Sequence, residues 1–344
     1  MPSPPPSEFD CRNAVEAMRK YGSQIEAAKA LGIPRTTLQG RLRSTGYKEP
    51  PRGESGLEAL VESLRAELDI ARQSLQDATR PKFTIRQDNA AKSGKLRVLV
   101  IGDAHDSPHI ADKSRFEWIG KHISQTKPDV VIQIGDFATV DSLNTHDANH
   151  TANGRSKPTF TEDMESFNLA LQAIDAHLSY RPEMHVCLGN HERRIWAYEN
   201  EHTEVGKDMQ FRLFELFERY KWTVSPYGMI TYYGGCGYVH AAINSLGKTF
   251  GGKNAEATIA NESIHDLTVG HSHRERFWRV PKIGGNNHIN IDNVGCYLPD
   301  QFIESYAQHA MNGWSYGLVE QEIRNGHIAG RSFIPSARLR EMYS

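Results

Sequence analysis

Five apolar runs in this chain end abruptly in metal-ligand chemistry, and that recurrence restricts the fold more than any other feature. "RVLVIGDAHD" places Asp103 and His105 just past a run rich in Val and Ile, and "VVIQIGDFATVD" places Asp136 past the next. "VCLGNHE" supplies Asn190, His191 and Glu192, "GYVHA" supplies His240, and "LTVGHSH" supplies His271 and His273. Continuous Val/Ile/Leu runs without polar alternation read as strands buried on both faces, as in sheets covered by helices. Open α/β sheets gather their sites outside the C-terminal ends of such strands. One such cluster alone reads as a surface turn. Five in series predict one site.

The segments between them support that architecture. "SRFEWIGKHISQ", "TEDMESFNLALQAIDAHL" and "KDMQFRLFELFERY" carry apolar residues at helical spacing, whereas the last third, from "WTVSP" to "RSFIP", reads as short strands with Gly turns. The sum is an α/β sandwich of two sheets flanked by helices, over residues 95–335. At 344 residues the chain is long enough for about two domains. No apolar run reaches the roughly 20 residues that span a bilayer. The polar, proline-rich start "MPSPPPSEFD" is unlike a signal or transit peptide. Cys11, Cys187, Cys236 and Cys296 form no CxxC pair, so reduced, buried thiols in a cytoplasmic protein are expected.

The chain has 16 histidines. Converging strand ends would bring together Asp103, His105, Asp136, Asn190, His240, His271 and His273. Mixed Asp, Asn and His donors suit Mn, Fe or Zn, and the lack of Cys argues against a structural zinc cluster. Seven ligands are too many for one catalytic ion with open positions, but suit two ions sharing a carboxylate.

The order DxH, GD, GNHE, H, GHxH resembles the calcineurin-like metallophosphoesterases over roughly residues 96–280. That resemblance implies Asp103, His105 and His273 on one ion, Asn190, His240 and His271 on the other, and Asp136 on both. It implies Mn first, with Fe, Zn or a mixed pair as alternatives. His191 becomes the catalytic histidine, protonating the leaving oxygen or stabilising the transition state. Two such ions lower the pKa of a bound water and neutralise charge on the phosphoryl group. The chain departs from the family at one point. Three residues after the bridging Asp the family usually has an acid or His that orients the catalytic His; here stands Thr139. Asp141, Glu192 or Asp106 takes the role, or nothing does. The polar stretch from Phe137 to Phe160, with His146 and His150, reads equally as a lid or a surface loop. Arg193 and Arg194 read either as substrate contacts or as salt-bridge partners on the next helix.

The N-terminal part has different chemistry. From Cys11 to Arg52 nine basic and three acidic residues give +6, so a chain of net charge −2 carries −8 elsewhere. A basic head on an acidic body points to a polyanionic partner. Residues 10–48 read as three short helices. "SQIE" opens the middle one as a capping box of Ser23 and Glu26, with Ile25, Ala28 and Leu31 on its apolar face. "LGIP" breaks it, and "RTTLQGRLR" resumes with Leu38 and Leu42 on one face. "AAKALGIPRTTLQGRL" resembles the helix-turn-helix of bacterial enhancer-binding activators and of the related nucleoid inversion factor. That likeness implies a DNA-binding domain with Arg35, Thr36 and Gln39 near base edges and Arg41 and Arg43 near phosphates. A three-helix packing domain without a ligand is the alternative.

After the linker "KEPPRGESG", Leu57, Val61, Leu64, Leu68, Ala71 and Leu75 are spaced 4, 3, 4, 3, 4, a heptad seam over residues 55–79. A parallel homodimer pairing Glu67 with Arg72 is expected; an amphipathic helix lying on the catalytic domain is the alternative. Residues 80–94 read as a second linker. The catalytic motif specifies phosphoester hydrolysis, and the basic head favours a DNA nuclease. A DNA-binding regulator acting on a small nucleotide or phosphoprotein is the second reading.

Overall fold

The computed structural model describes residues 6–48, 61–70, 82–86, 94–145, 150–284, 287–300, 302 and 313–344. The chain divides into two compact units, Met1–Arg80 and Pro81–Ser344.

In the first unit, three helices follow one another: α1 (Glu8–Tyr21), α2 (Gln24–Ala30) and α3 (Arg35–Ser44). Ser7 Oγ accepts from Asp10 N to open α1, and Gly22, at φ 65°, closes it by donating to Met18 O. Ala14, Ala17, Met18, Ala27, Ala28, Leu38 and Leu42 form a common core. The small side chains let the short helices approach closely. Ser23 Oγ accepts from Glu26 N at 3.2 Å, while Glu26 makes no return bond among the described residues. Ile25 departs from the expected apolar face: it is 67 % exposed, and Ala27 is buried in its place. Of the heptad seam, Leu57, Ala71 and Leu75 lie outside the described residues, as does Arg72. Residues 61–70 are helical (α4), and every one of them, Val61, Leu64 and Leu68 included, is exposed.

The second unit is built on two sheets. One has six strands in the order β11-β10-β1-β2-β3-β4, the other five in the order β5-β6-β7-β9-β8. In the first, β1 (Lys95–Ile101), β2 (Val130–Gln133), β3 (Glu183–Cys187) and β4 (Thr223–Ser225) run parallel. The antiparallel pair β10 (Gly317–Arg324) and β11 (His327–Pro335) extends it. The second comprises β5 (Thr231–Tyr233), β6 (Cys236–Val239), β7 (Leu267–Val269), β8 (Glu275–Pro281) and β9 (His288–Val294). Its central strands β6, β7 and β9 are parallel.

Burial on both faces explains the unbroken apolar runs. Along β1, Val98 and Val100 join Val130, Ile132, Tyr238 and Val294 between the sheets. Leu99 and Ile101 point the other way, toward the helices α5 (Ser114–Thr126), α7 (Phe160–Asp175) and α9 (Asp208–Arg219). The outer face of the second sheet is covered by α10 (Ala255–Glu262) through Ile259 and Ala260. All four cysteines are buried, and none forms a disulfide. Among the described residues no helix is long and apolar enough to cross a membrane.

The second unit extends past residues 95–335 at both ends. Residues 82–86, read as linker, dock on the sheets: Thr84 N donates to Val224 O, and Tyr232 N donates to Arg86 O. Phe83 packs edge-on against Phe214. At the other end, the helix Ser336–Tyr343 packs on α5. The polar stretch after Asp136 begins as core, since Phe137, Ala138 and Val140 are buried, and holds a 3-10 turn at Asp141–Leu143 and the short helix α6 (Ala152–Arg155). His146 lies outside the described residues; His150 is exposed.

Candidate metal centre

Parallel pairing carries the expected side chains to one end of both sheets. Asp103 and His105 follow β1, Asp136 follows β2, and Asn190 and His191 follow β3. His240 follows β6, and His271 and His273 follow β7. Three groups have ligand atoms within 4.8 Å of one another: Asp103, His105 and His273; His105, Asp136 and His191; and Asp136, His240 and His271. Asn190 joins the last, its Oδ1 lying 3.0 Å from His240 Nε2. Asp136 Oδ2 sits between the groups, 3.3 Å from His240 Nε2 and 3.8 Å from His105 Nε2.

The glycines before these residues have a steric cause. A Cβ on Gly189 would sit 2.0 Å from Asp136 Oδ1, and one on Gly270 would sit 2.4 Å from Asp103 Oδ1. One on Gly135 would meet His240 Nδ1 at 2.6 Å. The carboxylates and imidazoles lie against bare backbone. The site also concentrates strain. His105, Asp136, His271 and His273 all have φ between 45° and 67°, four of the eight non-glycine residues with positive φ among those described. Each such residue costs on the order of 1–3 kcal/mol, held only where surroundings fix it.

The donor set fits divalent cations. His105 Nε2 and His273 Nε2 face each other at 3.0 Å, and Asp103 Oδ2 lies 3.2 Å from His273 Nε2. Asp103 Oδ1 is buried without a hydrogen bond among the described residues. Lone pairs converging in a dry pocket require protons or a cation between them. Burial opposes protonation of His240, yet the Asp136 and Asp103 carboxylates outweigh it and hold its pKa up at about 9. Burial likewise opposes ionisation of Asp136, and the facing His240, His191 and His105 overcome it and hold its carboxyl well down. His240 Nδ1 lies 3.2 Å from Ile134 O. Donation there leaves Nε2 turned toward Asp136, the arrangement metal-binding imidazoles adopt.

Three features were not legible as contacts. Glu192 bonds to main-chain groups. Its carboxylate accepts from Asp136 N at 3.1 Å, Ala138 N at 3.0 Å and Gly189 N at 2.8 Å, clamping two strand ends together. Burial, then the Asp136 charge, raises its pKa to about 7. Asp106 is bound to Lys113 Nζ and Ser166 Oγ, and Asp141 lies 3.1 Å from Ser107 Oγ. The group that meets His191 Nδ1 is a main-chain carbonyl, Thr139 O, at 3.0 Å. Trp314 also closes edge-on over His273, with ring centres 4.3 Å apart. In the N-terminal unit, Arg35, Thr36 and Arg43 on α3 are exposed. Gln39 Nε2 donates to Gln24 Oε1, and Arg41 pairs with Asp10 at 3.0 Å.

The sandwich and its His/Asp cluster define a metal-dependent phosphoesterase. Residues 96–275, just over half of the chain, match the family described as calcineurin-like phosphoesterase, and the chain belongs to it. No curated protein matches the chain. Among solved structures, the chain is similar to wild-type Vps29 complexed with Zn+2 from Entamoeba histolytica. The identity is 12 %, the match covers 70 % of this chain and 99 % of that one, and the TM-score is 0.33.

Proposed function

We propose that the protein is a two-metal phosphodiesterase acting on DNA, directed there by α1–α3. The observation that carries the metal reading is the position of Asp136 Oδ2 between His240 and His105. On this reading Asp103, His105 and His273 hold one ion, Asn190, His240 and His271 the other, and Asp136 both. Bound ions would activate a water and neutralise charge on the phosphoryl group; Mn is the first choice, with Fe, Zn or a mixed pair as alternatives. His191 donates its Nδ1 proton to Thr139 O, which directs Nε2 toward the reacting phosphate as general acid.

DNA as substrate is supported by the +6 charge of residues 11–52 and by the exposed Arg35, Thr36 and Arg43 on one helix. On the resemblance of "AAKALGIPRTTLQGRL", Gln39 would lie near base edges and Arg41 near phosphates, and Arg41 would have to leave Asp10 to reach one. A second reading has the protein bind DNA while hydrolysing a small nucleotide or phosphoprotein; the −8 carried by the rest of the chain favours it. A homodimer through residues 55–79 would present two such heads to paired half-sites.

The test is hydrolysis of duplex DNA, single-stranded DNA and mononucleotides with Mn, Fe or Zn added to chelator-treated protein. Metal-dependent cutting of DNA, lost in Asp136→Asn, supports the first reading. Turnover of mononucleotides with intact DNA would move the assignment to the second.

A further inference from the structure

We propose that Arg194 is a catalytic residue, holding a non-bridging phosphoryl oxygen of the substrate beside the oxygen that His191 serves. The inference rests on the reading of His191 as facing the reacting phosphate.

Arg194 is the third residue after His191, in the first turn of α8 (Arg193–Glu201). Its Nη1 donates to Thr139 O at 2.8 Å, the same carbonyl that meets His191 Nδ1. The shared acceptor fixes the guanidinium against the imidazole, so that Arg194 Nη2 lies 3.4 Å from His191 Nε2. His191 Nε2 in turn lies 3.9 Å from Asp136 Oδ2. The guanidinium edge therefore lies beside the His191 nitrogen that faces the candidate ligand Asp136.

Once His191 is protonated, its Nε2 and Arg194 Nη2, 3.4 Å apart, present two donors to adjacent oxygens of one phosphoryl group. Arg194 has five N–H donors in a planar fork, and the Thr139 and Val140 carbonyls engage only Nη1. Nη2 faces His191 Nε2. The Asp141 carboxylate lies 3.9 Å from Nη1, whereas the contact with His191 Nε2 is made by Nη2. A fixed guanidinium aimed where phosphoryl charge develops is a recurrent means of stabilising phosphoryl transfer.

The test uses the full, Mn-loaded chain with Arg194→Ala, Arg194→Lys, His191→Ala and Asp136→Asn. Arg194→Ala is expected to keep the wild-type metal content but bind inorganic phosphate at least about tenfold more weakly by calorimetry. Its kcat/KM on bis-(nitrophenyl) phosphate should fall about 10²-fold, the scale seen for one preorganised donor. Added guanidinium ion should restore part of the loss, and Arg194→Lys should lie between. If phosphate affinity is unchanged in Arg194→Ala, or if guanidinium restores nothing, Arg194 only braces the Thr139 loop and the proposal is overturned. Should His191→Ala and Asp136→Asn keep full turnover, the two-metal reading itself fails; their inactivity beside an unaffected Arg194→Ala removes the Arg194 role alone.

Discussion

His191 and Arg194 hang from one acceptor, the carbonyl oxygen of Thr139, which meets His191 Nδ1 at 3.0 Å and Arg194 Nη1 at 2.8 Å. The family usually places an acid or His at that sequence position. Here the polypeptide supplies the acceptor itself. Val140, at φ 49°, turns the chain just beyond it, and Thr139 N donates to Asp106 O to hold the loop.

Because the contact is main-chain, the Thr139 side chain should matter little to catalysis. Its Oγ1 donates to Asp106 O at 3.1 Å, a bond that duplicates the one from Thr139 N. Thr139→Val is expected to cost about 1 kcal/mol of stability and to leave turnover within about threefold. His191→Ala should lose about 10²–10⁴-fold with both metals retained. Steady-state kinetics with metal counting checks both. A Thr139→Val enzyme as inactive as His191→Ala would assign the orienting role to the hydroxyl instead.

The strand ends and the ligand types were legible because glycine and ligand stand adjacent in sequence, and the cause of that adjacency is steric. What escaped the sequence is contact between distant or main-chain groups. The Glu192 clamp depends on three backbone N–H groups, two of them more than fifty residues away. Residues 82–86 carry a polar, linker-like composition, yet Phe83 finds the aromatic surface of Trp196 and Phe214. Ile25 follows the helical period but faces away from a core small enough to be filled by alanines.

Gly189 offers a sharp steric test. A methyl there would sit 2.0 Å from Asp136 Oδ1 and 2.3 Å from Asp136 N, with no flexible side chain to yield. Gly189→Ala should displace Asp136 and abolish metal retention and turnover together. Gly251 has open space around its Cβ position, and Gly251→Ala should behave as wild type. Equal metal content in the two variants, measured by mass spectrometry, would remove the close approach as the reason for the glycine.

His185 is fully buried, between Thr223 Oγ1 at 2.8 Å and Ser225 Oγ at 3.1 Å. Burial, aided by Arg86, pushes its pKa down to about 3. The unfolded chain takes up this proton near pH 6.5, whereas the folded chain refuses it. The contribution is thus full above about pH 6.5 and is lost as pH falls toward 3, at up to about 1.4 kcal/mol per pH unit. In chelator, His185→Gln should show a shallower loss of unfolding free energy between pH 7 and pH 5 than wild type. Parallel pH curves for the two proteins count against a neutral His185.

The exposed face of α4 carries Leu64 at 55 % and Leu68 at 50 % exposure, adjacent core positions of the heptad seam. Replacing both with lysine would bury like charges in a parallel dimer. Light scattering should report half the wild-type mass for Leu64→Lys/Leu68→Lys. An unchanged mass leaves the seam without a role in assembly.

Truncation separates the two functions proposed for the chain, and the boundary between the two units sets where to cut. Removing residues 1–92 would take Phe83, Thr84 and Arg86 from the second unit; removing residues 1–80 respects its boundary at Pro81. The shorter protein should hydrolyse bis-(nitrophenyl) phosphate at close to the full-length rate, since every candidate ligand lies beyond β1. Duplex binding should weaken severely at moderate salt, because the +6 segment that neutralises phosphates and releases counterions is gone. The full-length protein should in turn show a steep log-log dependence of duplex affinity on salt, and the truncated one a shallow dependence. If the protein is a nuclease, cleavage of dilute DNA falls in parallel with binding and recovers at high substrate concentration. If it is a regulator, the full-length chain binds duplex DNA and never cuts it with any ion, while remaining active on the small diester. That last pattern would sink the nuclease assignment and leave the metal centre standing.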